Sequence, residues 1–134
     1  MSEDISFEHL PGIEGKLIAI LKEARLPGDK EHHHLSPPFL SPYQIAIKFV
    51  QKHPDDAKAT GLDVGGAGTG KHTSLSQRIA KFLSQYVRNN PDGEVEGAFL
   101  AGDNLRRLEY DDGGCPVVSS VLEMSIYRHN KRGE

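Results

Sequence analysis

The order of patterns along the chain predicts an α+β fold: three N-terminal helices packed against a small C-terminal antiparallel sheet. Three observations predict it. Apolar residues recur at helical spacing over 12–26, 42–52 and 74–87. The last third changes to short apolar runs. Between two of these lies Asp111-Asp112-Gly113-Gly114, which is hairpin chemistry. The 134 residues suit a single domain, and 37% hydrophobic residues are enough for one modest core.

The elements follow in order. Residues 1–11 are acidic and mixed, and are expected to form a flexible arm. Over 12–26, Ile13, Leu17, Ile20, Leu21 and Ala24 share a face, and Leu26-Pro27-Gly28 stops the helix. Residues 27–40 hold a His triplet and Pro37-Pro38 and read as loop. Ser41-Pro42 is a helix start, a serine cap followed by proline at the first position. Tyr43, Ala46, Ile47 and Val50 line one side of that helix, and Ile45 and Phe49 widen it; His53-Pro54 ends it. Residues 55–62 read as polar connection, with a short strand at 62–64. The third helix has a serine cap at Ser74, Gln77 at capping-box spacing, and a buried stripe of Leu75, Ile79, Phe82, Leu83, Tyr86 and Val87. Strands are expected at 95–101, 108–110, 117–121 and 124–127, with a helical turn over 102–108. The tail 129–134, which overlaps the basic run 128–132, is expected to be loose.

Net charge is −3, so any nucleic-acid role must rest on local charge. The single cysteine, Cys115, excludes an internal disulfide and fits a reducing compartment. No window approaches the roughly 18 apolar residues of a membrane span. The start MSEDISFEHL has neither the basic residues nor the apolar run of a signal peptide. The expectation is a cytoplasmic protein with no membrane association.

The segment GGAGTGKHTS, residues 65–74, carries the main functional question. A nucleotide-binding loop needs G-x-x-x-x-G-K-[ST] after a buried strand, with the hydroxyl on magnesium. Gly65, Gly70 and Lys71 fit, but His72 takes the hydroxyl position and Thr73 comes one residue late. Imidazole is a poor ligand for a cation that prefers oxygen. A second reading keeps the phosphate and drops the nucleotide. A glycine run leading into a helix presents backbone N–H groups and the positive end of a dipole. No Asp or Glu occurs between Val64 and Pro91, whereas Lys71, Arg78, Lys81 and Arg88 do. The residues expected to bind backbone phosphate are Gly66, Gly68, Gly70, Lys71, His72, Thr73, Gln77, Arg78 and Lys81. The bland alternative is a turn before a solvated helix.

Three helices, the third basic, followed by a hairpin resemble the winged helix-turn-helix proteins. In these the third helix enters the major groove, and the segment SLSQRIAKFLSQY, residues 74–86, has the look of such a helix. The sequence departs from that family in two ways. About twenty residues separate His53 from Ser74 where the family has a short turn, and Asp111 and Asp112 place negative charge at the wing tip. The segment LPGIEGKLIAIL, residues 10–21, resembles the phosphate-binding turn of helix-hairpin-helix proteins, interrupted by Glu14.

Other constellations are weaker. His32, His33 and His34 are consecutive and do not converge on one ion without a sharp bend. Cys115 has no identifiable activating base. The acidic residues of the last third show no ligand spacing. The sequence thus predicts a non-enzymatic domain without metal or cofactor, whose partner is DNA or RNA. The alternatives are a protein partner or homodimer, using Tyr43, Ile45 and Phe49 with the hairpin edges, and a degenerate nucleotide binder.

Overall fold

A computed structural model describes residues 4–24, 37–65, 74–106, 108–111, 117–118 and 124–130. The fold is α+β. Its helices are α1 (Ile13–Glu23), α2 (Pro42–Lys52), α3 (Pro54–Thr60) and α4 (Leu75–Asn89). Its strands are β1 (Val95–Leu100), β2 (Glu109–Tyr110), β3 (Val117–Val118) and β4 (Met124–His129). They form two separate antiparallel pairs, β1 with β4 and β2 with β3.

Local chemistry accounts for the helix ends. Ser41 and Ser74 each form a complete capping box, with Gln44 and Gln77 respectively. Each serine hydroxyl accepts from the backbone N–H three residues on, and each glutamine accepts the serine's own N–H. α3 was read from the sequence as polar connection, yet residues 54–60 are helical. Proline holds the first position, Asp55 and Asp56 sit at the positive end of the helix dipole, and Gly61 closes the helix in the left-handed region at φ 67°. With only Ala57 and Thr60 buried, α3 has no apolar stripe to betray it.

α2 is buried on two sides. Ile45, Ala46 and Phe49 join the main core with Leu17, Ile20 and Leu21 of α1 and Leu75, Ile79 and Leu83 of α4. Tyr43 and Ile47 face the other way and pack with Val117, Leu108 and Tyr110. The Tyr43 and Tyr110 rings stack, with centroids 5.4 Å apart and planes inclined by 17°. Tyr43, Ile45 and Phe49, expected as an exposed docking surface, are therefore interior.

The β1–β4 ribbon covers the helices with one face. Val95 and Tyr127 enter the main core, and the Tyr127 hydroxyl donates to the Ala80 carbonyl of α4 at 3.2 Å. Leu100 and Ile126, on the opposite face, join the second cluster. Leu40 bridges to Tyr127 on the far edge of β4 through a reciprocal backbone pair of 2.7 and 2.9 Å.

The described parts of two segments expected to be loose are anchored. In the arm 1–11, Ile5 N–H donates to the Ala59 carbonyl, Phe7–His9 form a 3-10 turn, and Phe7 is buried edge-on against Phe49 and Phe82. In the tail, Arg128 and His129 belong to β4, where Arg128 binds Glu96 at 2.8 Å and lies 4.3 Å over the Phe39 ring. The helical turn expected over 102–108 is absent from the described residues there. The helix-hairpin-helix resemblance also ends here: a 3-10 turn, not a helix, precedes α1, and the Ile13 N–H is taken by the Leu10 carbonyl.

Phe7→Ala is expected to cost about 3–5 kcal/mol in urea unfolding, the range for a buried phenylalanine. A loss below about 1 kcal/mol would return the N-terminal segment to a dispensable arm. Burial pushes the hydroxyls of Tyr127 and Tyr110 above the usual tyrosine range, against the lowering effect of Ser125 and Ser84 on the first and Ser41 on the second. Their contribution to stability is therefore complete below about pH 10 and is lost as pH rises through the folded-state values. Ultraviolet titration of phenolate should show two tyrosines ionising late, together with alkaline unfolding.

Candidate functional site

The glycine segment is pinned at both ends. The N–H groups of Leu75 and Ser76 donate to the carbonyls of Asp63 and Val64 at 2.7 and 3.0 Å. Gln77 N–H donates to the Ser74 hydroxyl, and Arg78 N–H to the Ser74 carbonyl. The first four donors of α4 are thus satisfied by the chain itself. An anion at this helix end would have to displace those bonds, so Leu75–Arg78 offer it no free N–H group; the amides expected from the sequence are those of Gly66, Gly68 and Gly70. Gly66, Gly68, Gly70, Lys71, His72 and Thr73 lie outside the described residues.

Gly65 has a structural reason of its own. Its φ is 114°, and a Cβ there would stand 2.6 Å from the hydroxyls of both Ser74 and Ser76. The close approach that closes the loop demands glycine, without reference to phosphate. Two further features separate the segment from a nucleotide loop. Residues 62–64 form no strand. Ser74 is extended (φ −102°, ψ 168°), so α4 starts after Ser74 rather than at the lysine.

The winged-helix order is also altered. Among the described residues the basic helix is the fourth. The β2–β3 hairpin, which would be the wing, packs on α2 through Tyr43, Ile47 and Val117. The strand pair beside α4 is β1–β4 instead.

What the structure does assemble is a stripe along α4. Lys81, Ser84, Gln85 and Arg88 are all exposed and occupy positions i, i+3, i+4 and i+7, one face of a helix. Gln77 extends it one turn towards the N-terminus, with its side-chain oxygen committed to the cap. α4 carries no acidic residue. Among the described residues Lys81 and Arg88 have no ion-pair partner. Arg78 differs: it is half-buried and binds Glu8 at 3.3 Å. Of the expected site residues, Gln77 and Lys81 thus stand on the stripe and Arg78 beside it. Ser84, Gln85 and Arg88 were not among them, although their spacing from Lys81 was available in the sequence.

Two other features lie apart from the stripe. Phe99 of β1 is 84% exposed, well above Ile5, the other exposed large apolar residue of the described set. A shallow cleft of about 340 Å³ runs between α2 and β2, lined by Gln44, Ile47, Lys48, Gln51, Glu109, Tyr110 and Asp111. Among the described residues no group of His, Cys, Asp and Glu side chains is placed to hold a metal ion, and no helix is long and apolar enough to cross a membrane. His32, His33, His34 and Cys115 lie outside those residues. No protein family, curated protein or solved structure matches the chain.

Gly65→Ala is expected to destabilise the fold by about 2–4 kcal/mol, combining backbone strain with overpacking. Denaturant unfolding of the variant checks this. A change within about 0.5 kcal/mol would mean that the loop ends are not held together as described.

Proposed function

We propose that the chain binds the phosphate backbone of a nucleic acid through the exposed face of α4, without catalysing a reaction. The observation that carries the reading is the stripe Lys81, Ser84, Gln85 and Arg88, donor-bearing throughout and free of carboxylates. Lysine and arginine release counterions from phosphate, while hydroxyl and amide side chains supply directional contacts. The helix has 15 residues and so is about 22 Å long, enough to follow several phosphates. Arg78 can join them: its bond to Glu8 is a partly exposed ion pair, worth about 1 kcal/mol or less, which phosphate could replace.

This placement differs from an amide cradle at the helix N-terminus. Affinity comes from side chains and is accordingly strongly salt-dependent. Fluorescence polarisation with labelled duplex and single-stranded oligonucleotides at two salt concentrations tests it. Binding should weaken as salt rises, and Lys81→Ala with Arg88→Ala should flatten the dependence of log K on log salt by about 2. Absence of binding at low salt, or an unchanged slope in the double variant, would overturn the proposal.

A further inference from the structure

Among the described residues, the outer edge of β1 is an unfilled strand position. The phase of the β1–β4 ladder fixes what it offers. Tyr127 turns its N–H and carbonyl away from β1, towards Leu40. Its partner Gly97 must therefore turn its own N–H and carbonyl away from β4, and Phe99, two residues on, does the same. Neither residue has a backbone hydrogen bond on that side among the described residues. Gly97, Ala98 and Phe99 are all exposed. Folded proteins usually guard such an edge with lysine, proline or a bulge. β1 has none of these, and its single charge, Glu96, is already held by Arg128.

We infer that this edge pairs with the same edge of a second copy of the chain, in antiparallel register centred on Ala98. Gly97 then exchanges both backbone hydrogen bonds with Phe99 of the second copy, and the reverse, while the two Ala98 residues face each other. The register is self-complementary in shape: each exposed phenyl ring lies across from a residue with no side chain. Charge selects it as well. Glu96 faces Leu100 of the second copy, and the two Glu96 residues are displaced by four positions, about 13 Å along the strands. That exceeds the screening length of about 8–10 Å in ordinary salt. A register centred on Gly97 would halve the displacement and bring the like charges together. The resulting sheet has the order β4–β1–β1–β4. Its two-fold axis is perpendicular to the sheet, so both α4 helices lie on the same face. The pairing stands independently of nucleic-acid binding.

Sedimentation velocity on the full chain, from roughly 10 µM to roughly 1 mM, reads the association. The mass should rise with concentration from 14.7 kDa towards twice that value. Phe99→Lys should raise the dimer dissociation constant about tenfold or more with unchanged circular dichroism, since the side chain is exposed. Register is tested separately. With Cys115→Ser in the background, Ala98→Cys should cross-link to a covalent dimer under mild oxidation, because the facing residues of this pair are close enough for a disulfide. A wild-type chain that stays monomeric throughout overturns the inference. So does a dimer that is indifferent to Phe99→Lys and does not cross-link at position 98.

Discussion

Everything in this fold is arranged around α2 being needed on two sides at once. A helix with one apolar stripe can be satisfied by a single neighbour. α2 spends Ile45, Ala46 and Phe49 on α1 and α4, and Tyr43 and Ile47 on the hairpin. The second commitment explains why so short a hairpin is fixed at all: two residues per strand give too little pairing to stand alone. It holds by the Tyr43–Tyr110 stack and by the burial of Val117. The first commitment sets the position of α4, and α4 in turn receives β1 and β4 through Val95 and Tyr127. Phe7 closes the end of the stack between Phe49 and Phe82, which draws the N-terminal segment into the core.

The consequence for α4 is a division of labour around its circumference. Leu75, Ile79 and Leu83 are committed to the core, and its first-turn N–H groups to Asp63, Val64 and Ser74. What remains is the side of Lys81, Ser84, Gln85 and Arg88. A helix N-terminus attracts anions only while its donors are unclaimed. Here the return of residues 63–65 alongside 74–76 claims them. The glycine at position 65 serves that return, because only a residue without Cβ fits against the two serine hydroxyls.

Features governed by neighbours in sequence were legible. The capping box at Ser74, the serine cap and proline at the start of α2, the stripe of α4 and the β2–β3 pairing can be read from residues a few positions apart. Features that depend on distant partners were not. α3 buries too little to show a period. Phe7 is one apolar residue in an acidic stretch, and nothing local says that two phenylalanines 42 and 75 residues away will enclose it. The β1–β4 register joins segments about thirty residues apart, so the open edge at Gly97 and Phe99 could not be anticipated. The same holds for the candidate site. The lack of carboxylates between 64 and 91 was visible, but the pairing of Arg78 with Glu8 and the closure of the helix N-terminus required the fold.

The proposed binding brings anions to α4 through side chains along its face and not through backbone amides at its start. A proton–nitrogen correlation spectrum recorded during titration with a short oligonucleotide tests this most directly. The largest shifts should fall at Lys81, Ser84, Gln85 and Arg88, with the Leu75 and Ser76 amides little changed. Shifts concentrated at Leu75, Ser76 and Gln77, with residues 81–88 silent, would contradict it and restore the helix N-terminus as the anion site.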